Sequence, residues 1–289
     1  IARLINASPE DIAFVPAANT ALSLFLGGIE WRAGDEILTL TDEFPNQVYY
    51  PQWLSRHGVR LIEVPWERFY DSISPATRAV VLSTASYSTG FRPPVEEIRR
   101  HLDDRPVRLF LDSTQTLGAI RFDAQAVAPD LFACHGYKWL LCPTGAAFLY
   151  APPITREWLE PSVFGWRSHR DWRNVNALHQ GLPELPESAE RYEGGMLPFP
   201  LLYAMEASIQ LMLEIGPERI EQRVLALARS LHQALEGLGA EFPTPAVPGY
   251  ESPIVCARFP GRDAAELVRL LREREVLVAA RHGALRVSV

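Results

Sequence analysis

Two side chains that could act together in chemistry, Asp112 and Lys138, each follow a short apolar run of the sequence. The run at 107–111 is too short for a typical helix, so it predicts a buried strand that ends at the carboxylate of Asp112. A second apolar run, at 131–134, leads into Lys138. Because ligands of open α/β sheets bind at the carboxyl ends of the strands, this pattern predicts an acid and an amine near one binding site.

An amine within reach of a carboxylate in an apolar cleft suits one type of covalent catalysis. Pyridoxal phosphate requires a lysine to form a Schiff base with its aldehyde and an anion to pair with its pyridinium nitrogen. A single Asp and a single Lys at this spacing are more often ordinary surface residues, so the pair alone does not establish the cofactor. The flanking residues have to support it.

The flanking residues resemble the signature region of the class V aminotransferases, a family of pyridoxal phosphate enzymes of fold type I that includes cysteine desulfurases, kynureninases and isopenicillin epimerase-like proteins. Asp112-Ser113-Thr114-Gln115 matches the family's Asp-x-x-Gln, and Lys138 falls where the family has its Schiff-base lysine. The resemblance implies that Lys138 holds the cofactor, that Asp112 keeps the pyridine nitrogen protonated, and that Gln115 donates to the phenolic oxygen of the cofactor. It also implies that the substrate is an α-amino acid.

A strand candidate at 10–15 is followed by a turn that carries Ala18, Asn19 and Thr20 and then by an apolar helical run at 21–26. The unpaired N–H groups and the positive dipole at the start of a helix form an anion site. In the family the corresponding turn binds the cofactor phosphate, so the resemblance implies that role for these three residues, with Asn19 at the contact position. A simple helix cap by Asn or Thr is the alternative, and the two interpretations are compatible.

Two further strand candidates, at 37–40 and 79–83, lead to aromatic residues. Phe44 occupies the place where relatives stack a ring on the pyridine of the cofactor, and an ordinary core Phe is the alternative. Tyr87 occupies the place where relatives have an Asn beside the cofactor hydroxyl or the substrate, which implies a phenol or simple bulk facing the substrate. His135, three residues before the lysine, lies where many relatives bind the phosphate with a Ser.

Near the end of the sequence, 285–288 resembles the family's Arg-x-Ser, which makes Arg286 the bidentate partner of the substrate carboxylate. A surface Arg on an edge strand is the alternative. Cysteine desulfurases carry a nucleophilic Cys shortly before that Arg, whereas the corresponding run here, 276–285, contains none, and 281–283 looks more like the epimerase-like branch. Persulfide-forming desulfurase activity is therefore disfavoured, while epimerisation or racemisation, β-elimination and transamination remain open.

Two functions of other classes also remain open. A Cys/His hydrolase could use Cys134 or Cys142 with His135, although neighbours on a strand point to opposite faces and a third, orienting residue is not evident. A cofactor-free scaffold that binds a partner is the second, because Met196 stands where the family has a Thr that reaches the phosphate in the neighbouring subunit. Met cannot donate a hydrogen bond, so that contact would weaken or pass to the backbone N–H groups of 194–195.

The composition is that of an ordinary globular protein, with 47% hydrophobic residues, 22% charged residues and a formal net charge of −7. An acidic balance without a basic patch argues against nucleic acid or an anionic membrane as a partner. The sequence shows neither an apolar run of the roughly 20 residues that span a membrane nor a signal peptide. Its three cysteines have no paired spacing, which argues against a disulfide framework and favours a cytoplasmic location.

The 289 residues predict two domains. The large domain, 1–215, is expected to have the α/β fold of the pyridoxal phosphate (PLP)-dependent transferases of fold type I, with a mostly parallel central sheet flanked by helices. A break at 215–217 between two strongly helical runs starts a smaller α+β domain, 216–289. The resemblance further implies a homodimer with shared active sites, to which the Pro-, Trp- and Arg-rich segment 152–198 contributes, and an N-terminal arm and a C-terminal end that lie outside this sequence.

Overall fold

The computed structural model describes residues 1–177, 181–244, 249 and 251–289. The strands of the main sheet are, in chain order, Ile12–Val15 (β1), Glu36–Leu40 (β2), Arg60–Val64 (β3), Thr77–Ser83 (β4), Arg108–Asp112 (β5), Leu131–His135 (β6) and Ala147–Tyr150 (β7). Within the described ranges these seven strands lie side by side in the order β1-β7-β6-β5-β4-β2-β3.

One strand of the main sheet, β7, is antiparallel to both of its neighbours, β1 and β6, and the other neighbouring pairs are parallel. Since two reversals cancel, β1 has the same direction as the strands from β6 to β3. The carboxyl ends of β1, β2, β4, β5 and β6 therefore meet at one edge of the sheet, the edge at which open α/β sheets bind ligands. The mostly parallel sheet that the sequence predicts is confirmed.

Helices cover both faces of this sheet. The α-helices are Ala2–Ile5 (α1), Ala18–Gly27 (α2), Pro45–Trp53 (α3), Val95–Leu102 (α4), Ala124–Val127 (α5), Pro153–Arg156 (α6), Phe199–Ile215 (α7), Pro217–Gly237 (α8) and Ala264–Arg272 (α9). Short 3-10 helices lie at Pro9–Asp11, Leu54–His57, Trp66–Arg68, Tyr70–Ser72, Trp166–Ser168, Val175–Ala177 and Ala189–Tyr192. Among the helices that the structure describes, none is both long enough and apolar enough to cross a membrane.

The alternation of side chains along the strands produces two hydrophobic cores, one on each face of the main sheet. On β5, the ring of Phe110 lies 5.5 Å from the ring of Phe25 in α2. Its neighbours Leu109 and Leu111 point to the opposite face and join the core that includes Ile98 of α4 and residues of α7. Because both faces of β5 are covered, its carboxyl end is held rigidly at the centre of the sheet.

A second, smaller sheet lies in the C-terminal part of the chain. Its strands are Ile254–Ala257 (β8), Ala279–Arg281 (β9) and Ala284–Ser288 (β10), which pair antiparallel in the order β8-β10-β9. Helix α9 packs against β9 and β10, and α8 packs against β8. The predicted break at 215–217 lies between the end of α7 and the start of α8. A division of the chain into two domains at that point stays a prediction.

The small sheet is docked on the turn that follows β4. Ser252 Oγ donates to the carbonyl of Gly90 (2.7 Å), and Thr244 Oγ1 donates to the carbonyl of Thr89 (3.0 Å). Gly90 has a φ of 76°, and a Cβ at this position would collide with the carbonyl of Ile254, so both the backbone conformation and the close approach favour glycine here. These contacts position β10 relative to the strand ends of the main sheet.

Some element boundaries differ from those that the sequence predicts. Helix α2 begins at Ala18, so Asn19 and Thr20 lie in its first turn and not in the turn before it. After α9 the chain makes a left-handed turn at Glu275 (φ 63°), and β9 begins only at Ala279. The edge strand β3 is not predicted, since charged residues interrupt its short apolar run.

Candidate active site

Asp112 ends β5, and its carboxylate is buried at the strand edge. One carboxylate oxygen accepts a hydrogen bond from Thr114 N–H (2.9 Å), and the other accepts one from the side-chain amide of Gln47 (2.8 Å). Gln47 is itself buried, in the first turn of α3. These two hydrogen bonds fix the orientation of the carboxylate. The strand edge therefore carries an oriented carboxylate, as a pyridinium partner requires.

Lys138 lies between β6 and β7, and its side chain is half-buried. Burial lowers the pKa of the amine, the positive charge of Arg286 lowers that pKa further, and the carboxylate of Asp112 raises it. The amine is thus influenced from both sides, by the main sheet and by the small sheet. A lowered pKa increases the fraction of neutral amine, which is the form that attacks an aldehyde. Lys138 is also the only lysine in the 289-residue sequence.

The ring of His135, at the end of β6, contacts the first turn of α2. The backbone N–H of Ala18 donates to His135 Nε2 (3.2 Å), which assigns the ring proton of the neutral imidazole to Nδ1. In the described residues, this buried Nδ1 has no hydrogen-bond partner. Burial lowers the pKa of the ring, which favours the neutral form. A buried donor without a partner beside a helix N-terminus is suited to an anion.

The residues predicted to bind the phosphate come from two places in the sheet. Ala18, Asn19 and Thr20 follow β1, His135 ends β6, and β7 lies between these two strands. Ala18 is buried, Asn19 is exposed and Thr20 is half-buried. None of the three caps the helix with its side chain, because the residue at the N-cap position of α2 is Ala17, without a side-chain hydrogen bond. The alternative of a capping Asn or Thr is therefore wrong, while the role in phosphate binding stays a prediction.

Phe44 and Tyr87 meet at the same edge of the sheet. Phe44 follows β2 and directly precedes α3, and Tyr87 lies in the turn after β4. Their ring centroids are 5.3 Å apart at an interplanar angle of 79°, an edge-to-face contact. The ring of Phe44 is 43% exposed, so the alternative of an ordinary core Phe is wrong. An exposed aromatic ring at this edge of the sheet can cover a flat ligand.

A buried carboxyl group that the sequence reasoning missed holds Phe44 in place. Glu43 accepts hydrogen bonds from the backbone N–H (2.7 Å) and the hydroxyl (2.6 Å) of Ser83, the last residue of β4. Burial raises the pKa of Glu43 to about 7. Ser83 pairs with Asp112 in the register of β4 and β5. The turn before α3 is therefore fixed to the strand next to the one that carries Asp112.

Arg286 belongs to β10, the central strand of the small sheet, and is half-buried. The alternative of a surface Arg on an edge strand is therefore wrong. In the described part of the chain its buried Nε atom has no hydrogen-bond partner, and burial lowers the pKa of the guanidinium. A partly desolvated guanidinium with an unmatched N–H is suited to a carboxylate. Gln115, the remaining predicted site residue, is buried in the turn after β5.

Met196, which replaces the family's Thr, is 73% exposed. The preceding Gly194 accepts a hydrogen bond through its carbonyl from Arg167 N–H (3.0 Å), and the Arg167 side chain is buried against Glu190 (2.7 Å) and Glu193 (2.8 Å). This ion-pair cluster presents the 194–196 turn on the surface of the chain. The predicted contact of this turn with a neighbouring subunit stays a prediction.

The geometry disfavours the hydrolase alternative. The thiol of Cys134 is buried, donates to the carbonyl of His135 (3.2 Å) and has a pKa raised well above its usual value, chiefly by burial. Cys142 is buried too, and its thiol points to the carbonyl of Leu201 (3.6 Å). A thiol becomes a nucleophile through a lowered pKa beside a base, and neither cysteine has that setting.

Fold and site together define an enzyme of the pyridoxal phosphate-dependent fold type I. The family model described as Aminotransferase class-V matches residues 1–287, so the chain belongs to the class V aminotransferase family. The family uses pyridoxal phosphate, and the resemblance that the sequence motifs indicate is confirmed.

Curated relatives carry several activities. An isopenicillin N epimerase of Streptomyces clavuligerus is 28% identical over 295 residues, which cover 97% of this chain and 74% of that protein. A probable cysteine desulfurase of Methanothermobacter thermautotrophicus is 26% identical over 82% of this chain and 60% of that protein. An uncharacterised protein of Schizosaccharomyces pombe is 29% identical over 82% of this chain and 57% of its own length. The chain thus spans less than two thirds of the length of the latter two relatives.

Solved structures share the fold. The apo structure of a cysteine desulfurase from Thermococcus onnurineus has a TM-score of 0.88 at 20% identity and covers 100% of this chain and 76% of that one. The cystine C-S lyase C-DES in complex with its reaction product, cysteine persulfide, has a TM-score of 0.88 at 23% identity and covers 99% of this chain and 79% of that one. At these identities the likeness establishes the fold.

The side chains at the strand edge fit pyridoxal phosphate. The buried Nδ1 donor of His135 and the start of α2 suit its phosphate, the carboxylate of Asp112 suits its pyridinium nitrogen, and the half-buried amine of Lys138 suits its aldehyde. These groups come from the carboxyl ends of β1, β5 and β6. The sheet order places all three at one edge.

Proposed function

We propose that the protein acts on an α-amino acid with pyridoxal phosphate held by Lys138. The observation that carries this proposal is that the sole lysine of the chain is within electrostatic reach of both a buried acid on the main sheet, Asp112, and a partly desolvated guanidinium on the small sheet, Arg286. A Schiff base requires the lysine, its pyridinium requires the acid, and an α-carboxylate requires the guanidinium.

When bound, the cofactor supplies an electron sink for the bond that breaks at the α-carbon. The chain's own residues orient that chemistry. Asp112, held by Gln47, would keep a proton on the pyridine nitrogen, and Gln115 would donate to the phenolic oxygen. Phe44 would cover the ring, and the start of α2 and His135 Nδ1 would hold the phosphate.

Lys138 has a second role in the proposal. Its amine, with a pKa lowered by burial and by the charge of Arg286, would take up the α-proton of the substrate. Arg286 binds the substrate carboxylate, and the binding of an anion there relieves the repulsion between the two cationic groups. The carboxylate of the substrate therefore compensates the positive charge of Arg286.

Removal of the α-proton starts epimerisation, β-elimination and transamination alike. The relatives include proteins named for epimerisation and for desulfuration, which supports this shared first step. Residues 276–285 lack a cysteine, so persulfide formation on that loop stays disfavoured. A cofactor-free scaffold, suggested by the exposed Met196, is the alternative, and the unmatched buried donor of His135 argues against it.

The proposal includes a homodimer in a reducing compartment such as the cytoplasm. The three cysteines are free thiols, as expected where disulfides do not form. Large exposed apolar side chains in or next to the segment 152–198, of which residues 178–180 lie outside the described ranges, suit a subunit interface. They include Val163, Phe164, Trp166, Met196 and Phe199.

A spectral titration tests the proposal. The holoenzyme is mixed with a panel of α-amino acids and with the matched amines that lack the carboxylate, and the visible absorbance of the cofactor is followed. We expect saturable spectral changes with at least one amino acid and none at the same concentration with its decarboxylated amine. Equal responses to both would contradict the role of Arg286, and a protein that retains no cofactor would support the scaffold.

A further inference from the structure

Glu43 is a buried carboxyl group at the edge of the main sheet that has no role in the proposed function. Its oxygens accept hydrogen bonds from the backbone N–H (2.7 Å) and the hydroxyl (2.6 Å) of Ser83, and a longer one from the backbone N–H of Phe44 (3.3 Å). Each of these groups acts as a donor, and donors favour the ionised form of a carboxyl group. The hydrogen bonds of Glu43 therefore suit a carboxylate.

The electrostatic surroundings of Glu43 favour the opposite form. Burial raises its pKa to about 7 against the effect of the donors Ser83 and Phe44, and the negative charge of Asp112 adds to the increase. Among the side chains that the structure describes, no Arg, Lys or His forms an ion pair with Glu43. A buried anion without a cationic partner is costly, which favours the protonated acid.

The other titratable side chains around Glu43 do not supply the missing positive charge. Asp42 and Glu67 line the same cavity as Glu43, and both are acidic. The nearest cationic candidate, His282, lies 3.6 Å from the carboxylate of Asp42, and both of those side chains are about half exposed to solvent. Glu43 and Asp112 are thus two buried acids whose negative charges oppose each other.

The turn that begins at Glu43 connects these two acids. Gln47, four residues further along, donates to the carboxylate of Asp112 (2.8 Å), and Ser83 pairs with Asp112 in the register of β4 and β5. Phe44 lies between the two contacts of the turn. A positive charge bound at Asp112 would therefore act on Glu43 as well, and a protonated pyridine ring carries such a charge.

We propose that Glu43 is a positioning residue of the cofactor site and that it loses its proton when a protonated pyridine ring pairs with Asp112. The inference rests on the proposed function, since it takes Asp112 as the partner of that ring. A cation near a buried carboxyl group favours its ionised form. The O–H bond of Glu43 breaks, the electron pair stays on the carboxylate, and the proton reaches solvent through the cavity that Glu43 and Ser83 line.

Loss of this proton strengthens the contacts that hold Phe44. Hydrogen bonds to an ionised acceptor are about twice as strong as those between neutral groups. The N–H groups of Ser83 and Phe44 then donate to a full negative charge, so the turn before α3 is fixed more firmly to β4. Binding of the cofactor therefore stabilises the turn that presents Phe44 and Gln47 to it.

The pH dependence of cofactor binding tests this coupling without a measurement of turnover. The affinity for pyridoxal phosphate is titrated at several pH values between about 6 and 8, and the protons released are counted by calorimetry in two buffers of different ionisation enthalpy. Glu43→Gln keeps the shape and an acceptor for Ser83 N–H but does not titrate. Glu67→Gln makes the same change at an exposed carboxylate of the same cavity and is the matched control.

We expect the ratio of the wild-type affinity to that of Glu43→Gln to rise by about five- to ten-fold from about pH 6 to pH 8. Near pH 7 wild type should release about half a proton more than this variant, because the pKa of Glu43 is about 7 before binding. Titration of the cofactor and of Lys138 is common to both proteins and cancels in the ratio. Glu67→Gln follows wild type. Parallel pH profiles for wild type and Glu43→Gln overturn the inference.

Ser83→Ala separates a titrating Glu43 from a merely structural one. The hydroxyl of Ser83 lowers the pKa of Glu43, so its removal should move the rise in cofactor affinity to higher pH. A purely structural anchor would instead weaken binding equally at every pH, and that result counts against the inference. A wild-type protein that binds no pyridoxal phosphate at any pH contradicts the proposed function itself.

Urea denaturation of the full chain without cofactor tests the titration of Glu43 independently of the proposed function. Because folding raises the pKa of Glu43 from 4.5 to about 7, the folded chain holds the proton more tightly, and the stability that this contributes is lost as the pH rises through about 7. The denaturation midpoint of wild type should therefore fall relative to that of Glu43→Gln between about pH 5 and pH 8. An equal pH dependence of the two midpoints overturns the inference, whether or not the cofactor binds.

Discussion

The two sides of the candidate site are built differently. On the main sheet, Asp112, Gln47 and His135 are held by short hydrogen bonds of 2.8 to 3.2 Å at the ends of strands covered on both faces. On the small sheet, Arg286 has an unmatched Nε, and His282 reaches Tyr87 and Asp42 across 3.4 and 3.6 Å. The first side is oriented by these bonds before any ligand binds, with His135 Nδ1 as its unmatched donor, whereas on the second side an unmatched guanidinium and longer contacts hold the groups less firmly.

This difference separates cofactor binding from substrate choice. In the proposed function, the preorganised groups around Asp112 fix the plane and the charge of the cofactor. In the proposed function Arg286, on the small sheet, binds the substrate and does not contact the cofactor. Changes on the main sheet should therefore alter the cofactor, and changes on the small sheet should alter the substrate response alone.

The largest effect is expected at the acid of the main sheet. Asp112→Asn removes the charge that pairs with the pyridinium while it keeps the shape and an acceptor for Thr114 N–H. We expect turnover to fall by about 10² to 10³-fold, the scale of losing a preorganised electrostatic group, together with a changed cofactor spectrum. Steady-state rates and visible absorbance measure both. An unchanged cofactor spectrum would contradict the assignment of cofactor binding to the main sheet and substrate binding to the small sheet.

A smaller effect, restricted to the substrate, is expected at Arg286. Lys at this position keeps the charge but loses the planar fork, and a hydrogen bond to a charged group contributes about 1.5–3 kcal/mol. Arg286→Lys should raise the apparent substrate constant by about ten-fold or more and leave the cofactor spectrum intact. Arg281→Lys, on the exposed edge strand β9, is the matched control. Loss of the cofactor in Arg286→Lys would contradict the separation.

The smallest effect is expected at Gln47. Gln47→Leu removes one hydrogen bond to Asp112 but also removes the buried Oε1 atom, which has no partner in the described residues, so the two changes offset each other in stability. We expect cofactor affinity to fall by about three- to ten-fold and the free energy of unfolding to change by less than about 1 kcal/mol. Equilibrium titration and urea denaturation measure these. An unchanged affinity for the cofactor would show that Gln47 does not contribute to cofactor binding.

Sequence reasoning identified the residues that follow apolar runs, because a short buried strand and the residue at its end are both visible in the sequence. Asp112, Phe44, Tyr87 and Lys138 all belong to this group. It missed Gln47 and Glu43, because their contacts arise only when α3 packs against β4 and β5. A count of residue types could have added one further signal, since the chain has a single lysine.

Contacts between the two sheets were beyond sequence reasoning for a different reason. The approach of His282 to Tyr87 depends on the docking of the small sheet on the turn at Gly90, a tertiary contact between residues 195 positions apart in the sequence. The orientation of His135 likewise depends on α2, which follows a strand from the far end of the sheet. Such contacts are set by topology and not by local pattern.

The sole lysine permits the most direct test of the whole account. The holoenzyme is reduced with borohydride, which fixes a Schiff base as a stable adduct, and the mass of the intact protein and of its peptides is measured. We predict one pyridoxyl adduct per chain, on the peptide that contains Lys138, and none in Lys138→Ala. An adduct of the same stoichiometry in Lys138→Ala, or a wild-type protein without an adduct after incubation with the cofactor, would contradict the central claim that Lys138 holds pyridoxal phosphate.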